Sequence, residues 1–154
     1  MFEDFETIKF PPSDEALAGL PQGGCIYVFF MEKRSKVQPF YVGQTRRLAA
    51  RMEDYVAGSF DAPTDFRVCE AARYLEEEKQ CRILVRYKPS RHPREDEHAL
   101  IRELQLEGIR LLNDFVSYDY RTAKRRQERR YLRRFCDVLF GSEWRTGLEF
   151  GTKR

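Results

Sequence analysis

Two tyrosines, one arginine and one glutamate are the side chains here whose types and spacing suggest chemistry. Tyr27 lies in the β-forming run Cys25-Ile26-Tyr27-Val28-Phe29-Phe30, and Tyr41 opens Tyr41-Val42-Gly43 just after Gln38-Pro39-Phe40. A hairpin of these runs would bring the two phenols side by side, and Arg51, ten residues after Tyr41, would stand on the next helix. Two phenols can donate or accept hydrogen bonds, and a planar guanidinium matches a phosphate, so the set suits phosphodiester chemistry. Further along, Glu97 stands three, four and seven residues before Leu100, Ile101 and Leu104, on the stripe a helix there would turn to the core. A carboxylate so placed asks for a cation; the plain alternative is a first-turn glutamate, partly exposed and paired with an arginine.

The elements that must hold these groups follow from pattern. Strands are expected over 25–30 and 39–43, with the Lys- and Arg-bearing stretch Met31–Val37 as a hairpin loop near the phosphate-binding end. Thr45 reads as the N-cap of a helix running to Ala57, with Leu48, Met52 and Val56 inward and Arg47, Arg51 and Asp54 on an adjoining polar face. A second helix spans about 65–78 with Val68, Ala72 and Leu75 inward, its acidic end Glu76-Glu77-Glu78 a solvated face. Cys81, Ile83, Val85 and Tyr87 alternate with Arg82, Leu84 and Arg86, the pattern of a half-buried strand stopped by Pro89. Pro93 at a first helical position, the acids Glu95 and Asp96 and the stop Gly108 predict a third helix over 93–107. His92 and His98 fall off its inward stripe and read as surface residues.

The chain as a whole has 154 residues, the size of one domain with a core and short appendages. With 34% charged residues and no run near the roughly 20 apolar residues of a membrane span, it reads as a protein that neither spans nor needs a membrane. Its acidic start lacks the basic and apolar regions of a secretory signal, so a cytoplasmic address is expected. Cys25, Cys69, Cys81 and Cys136 are too scattered for a zinc site or a disulfide framework and should be reduced and mostly buried. The net charge of +3 hides an asymmetry: residues 1–114 carry 17 basic against 20 acidic side chains, residues 115–154 carry 11 against 5. Residues 120–140 form a basic C-terminal helix. Lys124, Arg125, Arg126, Arg129 and Arg130 make a cationic ridge for phosphate, while Tyr131, Leu132, Phe135, Cys136, Val138 and Leu139 supply a docking face. Trp144 and Phe150 remain as anchors in the tail.

Taken in order, these residues resemble the GIY-YIG endonuclease family across about 22–114. Cys25-Ile26-Tyr27 stands where the family carries Gly-Ile-Tyr, with its glycine displaced to Gly23-Gly24, and Tyr41-Val42-Gly43 where it carries Tyr-Ile-Gly. Arg51 has the family's spacing, Tyr55 matches an aromatic position, Glu97 with Leu100 and Ile101 resembles the metal-binding helix, and Asn113 the asparagine that follows it. Gln44 stands in a region where some members have a lysine, so the cationic role passes to Arg46 or Arg47.

The resemblance implies an α+β fold, a small three-stranded antiparallel sheet flanked by helices. Residues 1–21 would be an N-terminal extension, 22–114 the nuclease-like domain and 115–154 the basic helix and tail packed on it. It implies divalent-metal-dependent hydrolysis of nucleic acid, DNA ahead of RNA, with Tyr27, Tyr41, Arg51 and Glu97 catalytic. Glu97 would bind Mg2+ or Mn2+, and the metal would polarise the phosphoryl oxygens and shield the leaving 3′ oxygen. Tyr27 would orient or deprotonate the attacking water with its phenol pKa lowered by nearby cations, Tyr41 would hydrogen-bond the phosphate or water, and Arg51 would hold the phosphate. Gly43, Arg46, Arg47, Tyr55 and Asn113 would contact substrate. A double-strand break would take a homodimer or two successive cuts, and sequence choice a separate targeting partner. The rival readings are a module of this fold that binds DNA or a protein without cutting, and a nuclease for RNA or for branched or single-stranded DNA.

Overall fold

The computed structural model describes residues 1–115, 122–141 and 145–146, with the side chains of 122–126 and 145–146 left out. Its centre is an antiparallel sheet in the order β1-β4-β2-β3-β5, built from β1 (Glu6–Lys9), β2 (Cys25–Lys33), β3 (Lys36–Thr45), β4 (Arg82–Pro89) and the two-residue β5 (Arg145–Thr146). The helices are α1 (Asp14–Ala18), α2 (Leu48–Ala57), α3 (Pro63–Glu77), α4 (Pro93–Leu106) and α5 (Thr122–Gly141), with a 3-10 turn at Leu112–Asp114. The three expected strands thus form the middle of a larger sheet: Glu6–Lys9 pairs with β4 through Ile8 opposite Val85, and Phe2 packs its ring 5.1 Å from Phe30. Among the described residues no helix is long and apolar enough to cross a membrane.

The β2–β3 hairpin is longer than the sequence predicts. Strand pairing continues to Lys33 opposite Lys36, so the turn is only Arg34-Ser35, with Arg34 at a φ of 60°. Met31 and Val37 are buried strand residues instead of loop. Apolar burial on both faces outweighs the charge of Lys33, Arg34 and Lys36: Arg34 and Lys36 reach solvent, and the half-buried Lys33 donates to the Lys79 carbonyl at 2.9 Å. The turn lies six residues along β2 from Tyr27, about 20 Å away at a strand's rise, so it is remote from the phenols.

Both sheet faces are covered. On one, Tyr27, Phe29, Met31, Phe40, Ile83 and Val85 meet α2, α3 and the Leu132, Cys136 and Leu139 side of α5. On the other, Ile26, Val28, Phe30, Val42 and Leu84 meet Leu100 and Leu104 of α4 together with Phe2. Burying each such side chain stabilises the fold by about 1.5–3 kcal/mol. That second layer is why β4 is not half-buried as its alternation suggests: Leu84 and Arg86 are covered too, and pairing with Cys25 carries the strand through Pro89. The packing of Leu132, Cys136 and Leu139 bears out the expected α5 face, except that Val138 is exposed. All four cysteines are buried and unpaired.

Helix ends match their chemistry. Pro63 and Pro93 start α3 and α4, where a missing N–H costs nothing. Thr45 does not cap α2 directly: its Oγ1 accepts from the Arg47 N–H at 3.0 Å, and the helix begins at Leu48. Past α4, Gly108 adopts a φ of 81°, while the N–H groups of Gly108 and Ile109 donate to Gln105 and Leu104 carbonyls. This closing turn also seats Ile109 beside Leu104 in the core.

Candidate active site

The register of the hairpin decides what surrounds each phenol. Tyr27 lies opposite Gly43 and Tyr41 opposite Phe29, so the two tyrosines are diagonal neighbours, and a third, Tyr55 of α2, bridges them. Tyr55 has its ring centroid 6.0 Å from Tyr27 and 6.1 Å from Tyr41, both edge-on, and its hydroxyl is hydrogen-bonded to that of Tyr27 at 2.5 Å. Helical periodicity alone nominated Val56 for the core; the helix instead buries Tyr55 with Leu48 and Met52 and leaves Val56 40% exposed. An aromatic ring facing Phe29, Tyr27 and Tyr41 fills the space above the sheet better than a valine one position on.

Arg51 sits over this cluster. Its Cζ lies 4.3 Å from the Tyr55 ring centroid, a cation–π contact, and its Nη1 donates to Asp65 Oδ1 at 2.5 Å. A second, more exposed carboxylate, Asp54, lies 3.5 Å from Nη1. Asp65 was legible only as an acidic residue in the first turn of α3, yet with its side chain 14% exposed it is the main anchor of the arginine. The Arg51 side chain keeps a quarter of its surface in solvent. Burial by itself would lower its pKa, but Tyr55, Tyr27 and Asp65 raise it above the ordinary arginine value, so the charge is permanent.

The phenols titrate opposite to expectation. Tyr27 is 1% exposed, and burial, reinforced by the neighbouring Tyr41, pushes its pKa well above the ordinary tyrosine value despite hydrogen bonding from Tyr55 and Arg51. Tyr55 is also raised well above the ordinary value, again chiefly by burial. Tyr41, only partly buried, is also raised, by burial first, while Arg51 pulls down and Glu97 and Asp65 push up. Desolvation of a phenolate therefore outweighs the one adjacent guanidinium. At neutral pH all three are hydroxyls that donate and accept hydrogen bonds, and Tyr27 as a lowered-pKa base is set aside.

Glu97, on the first turns of α4, has a side chain 19% exposed, continuing the stripe of Leu100 and Leu104 as the pattern predicts. Burial raises its pKa, with His98 and Arg94 pulling it down. Its charge, like those of Arg51 and Asp65, acts on the Tyr41 phenol, while Leu100 and Leu104 of its own stripe pack on the sheet face opposite the tyrosines. His98 is 69% exposed and His92 is exposed, as expected. Among the described residues no three His, Cys, Asp or Glu side chains gather.

Several expected substrate contacts have structural duties instead. Gly43 is buried beneath Tyr27: a Cβ there would lie 2.3 Å from that ring. Tyr55 is fully buried. Asn113 spends both ends of its amide on one residue, Oδ1 accepting from Val42 N–H at 2.9 Å and Nδ2 donating to Val42 O at 2.7 Å. It thereby closes the edge of β3 between Tyr41 and Gly43, where no strand pairs among the described residues. Arg46, Arg47 and Arg130 are exposed and stay available.

Arg129 turns from the ridge to Glu70 at 3.1 Å, within 5.7 Å of the Phe60 and Phe66 ring centroids, because α5 packs on α3. The neighbouring Glu128 is 1% exposed and accepts from Arg67 at 2.8 Å, a buried pair the charge run concealed. The side chains of Lys124, Arg125 and Arg126, like Trp144 and Phe150, lie outside the described residues. Compared with protein-family models, with curated proteins and with solved structures, the chain matches none.

Proposed function

We propose that this chain is a GIY-YIG-type endonuclease, hydrolysing phosphodiester bonds in nucleic acid, DNA ahead of RNA, with Mg2+ or Mn2+. The observation that carries the reading is the packed cluster of Tyr27, Tyr41 and Tyr55 with Arg51 over it, with the half-buried carboxylate of Glu97 on α4 close enough for its charge to act on Tyr41. The donor set fits such a metal: hard divalent ions of the Mg2+ type are held by one or two carboxylates with waters and substrate phosphate completing the shell, and Glu97 supplies one carboxylate whose poor solvation favours a cation. When bound, the ion would polarise the phosphoryl oxygens and lower the pKa of a coordinated water.

The protein's own groups then have distinct duties. Arg51, held by Asp65 yet a quarter exposed, turns N–H donors toward a phosphate whose negative charge grows during attack. Tyr41, the least buried of the three phenols, donates a hydrogen bond to a phosphate oxygen or orients the attacking water. Tyr27 and Tyr55 fix Arg51 and Tyr41 without touching substrate, so they are positioning residues. The water's proton leaves to solvent or to a non-bridging phosphate oxygen while the phosphorus–oxygen ester bond breaks.

A second reading has its own support: the complete burial of Tyr27 and Tyr55 and the anchoring of Arg51 by Asp65 also suit a purely structural cluster in a binding module that does not cut. Cleavage of end-labelled single-stranded, duplex and branched DNA, and of RNA, with Mg2+, Mn2+ or EDTA separates the two. Cutting that needs metal and disappears in Glu97→Ala supports the nuclease; cutting that survives the substitution, or no cutting of any substrate, overturns it.

A further inference from the structure

Where β3 runs into α2 and β4 into α4, the surface holds two cavities with a common wall. The first, about 280 Å3, is polar and lined by Arg46, Arg91, His92 and Arg94, with Gln44 and the single carboxylate Glu95. The second, about 500 Å3, has an apolar floor of Leu17, Leu20, Pro21 and Leu48 and a rim of Arg46 and Arg47. Arg46 belongs to both, which makes them two ends of one cleft. Its four arginines are exposed, and among the described residues none of them forms an ion pair with a carboxylate.

Three arginines elsewhere in the fold are held by acids: Arg51 by Asp65, Arg67 by Glu128, Arg129 by Glu70. Four uncompensated guanidinium groups around a concave surface concentrate positive potential and call for an anion with more than one charge. Arg94 also connects the cleft to the proposed metal ligand, since it stands three residues before Glu97 on α4, one turn away on the same side of the helix.

The pairing of a cationic cavity with an apolar one narrows the occupant. Duplex DNA keeps its bases stacked and offers mainly phosphates, whereas a single strand can lay a phosphate on arginines and an unstacked nucleoside on an apolar floor with a guanidinium plane against it. We propose that this cleft binds a single-stranded stretch of nucleic acid on its way to Glu97, phosphates on Arg46, Arg91 and Arg94 and a nucleoside over Leu17 and Pro21. This rests on the nuclease reading for its biological sense, but not for its test.

Binding is measured by fluorescence anisotropy of the full chain in EDTA, with a labelled 15-nucleotide single strand and a 15-base-pair duplex, over a salt series. The single strand should bind more tightly than the duplex. In Arg91→Gln/Arg94→Gln the slope of log K against log salt should shrink by about 1.4, two phosphate contacts at about 0.7 each. Ala50→Phe, filling the second cavity, should weaken single-strand binding several-fold while leaving that slope unchanged, and thermal melting of each variant checks that it is folded. The proposal is overturned by an unchanged slope in the double arginine variant, by tighter binding of duplex, or by equal competition from polyglutamate, which would assign the cleft to an acidic protein. Because these measurements involve neither metal nor cutting, loss of cleavage leaves the cleft standing, and a failed cleft leaves Glu97-dependent cleavage untouched.

Discussion

Gly43→Ala tests whether the close approach of β3 to Tyr27 holds the phenol cluster in place. An alanine Cβ would sit 2.3 Å from both Cζ and the hydroxyl oxygen of Tyr27 and 2.7 Å from Cε2. Carbon contacts are comfortable at about 3.5 Å, so the ring has to retreat by about 1.2 Å. It has little room, being 1% exposed and wedged against Phe29 and Tyr55. Forcing a methyl into such a core costs about 1–3 kcal/mol, and displacing the Tyr27 hydroxyl from Tyr55 adds about 0.5–1.5 kcal/mol. A loss of about 2–4 kcal/mol is expected, which for a chain of this length lowers Tm by about 4–16 °C. Thermal and urea unfolding followed by circular dichroism measure it, and the Tyr27 background supplies the control. Tyr27→Leu removes the ring tip and should bring the cost of Gly43→Ala below about 1 kcal/mol, whereas Tyr27→Phe keeps Cζ in place and should give little relief. A Gly43→Ala protein within about 0.5 kcal/mol of wild type, or an equal cost in the Tyr27→Leu background, would refute the steric reasoning.

Four further outcomes are expected. Burial raises the Glu97 pKa above its usual 4.5, so the folded chain holds that proton more tightly than the unfolded one; stability is lost as pH rises through the raised value, and the Tm of Glu97→Gln should gain on wild type between pH 4 and 7. Added Mn2+ should raise the wild-type Tm more at pH 7 than at pH 4.5 and leave Glu97→Gln unmoved, since only the ionised carboxylate binds a cation. Asp65→Asn, removing the charged anchor of Arg51, should destabilise by about 1–2 kcal/mol and lower cleavage, while Asp54→Ala, whose carboxylate is 56% exposed, should cost under about 0.5 kcal/mol; equal costs in denaturant unfolding would count against Asp65 as the anchor. Asn113→Ala should cost about 2–4 kcal/mol by stranding the N–H and C=O of Val42, and Asn113→Asp should be no better because its carboxylate cannot donate to the Val42 carbonyl; protection of the β3 edge amides by hydrogen exchange reads this directly.

What was legible in the sequence was whatever depended on one element at a time. The period-2 run of Cys81–Tyr87, the prolines opening α3 and α4, and the stripe placing Glu97 beside Leu100 and Leu104 each carry their signal within a dozen residues. What was hidden depended on two elements meeting. Tyr55 and Val56 are both acceptable inward residues on α2, and only the presence of Tyr27, Tyr41 and Phe29 beneath the helix selects the tyrosine. The charged stretch 31–37 resembled a loop because lysines and arginines outnumber apolar residues there, whereas its burial comes from α2, α3 and α5 on one face and from α4 and the N-terminal segment on the other. Glu6–Lys9 carries too little pattern in four residues to announce a strand, and it exists because β4 offers an edge.

The same distinction separates group from environment at the candidate site. Tyr27, Tyr41, Arg51 and Glu97 can be picked out by type and spacing, but the sign of a pKa shift depends on how much water each loses against how many charges it gains. For Tyr27 a lone guanidinium, already shared with Asp65, opposes nearly complete burial, and burial wins. The consequence reaches the proposed chemistry: a phenol kept protonated far above neutral pH would serve as a donor, so proton removal from water would fall outside Tyr27, to solvent or a phosphate oxygen beside the partly exposed Tyr41 and Arg51. A pH–rate profile of Tyr27→Phe that keeps the wild-type shape between pH 6 and 9, with only its height reduced, is the kinetic form of that argument; loss of a limb in that range would return the proton to Tyr27.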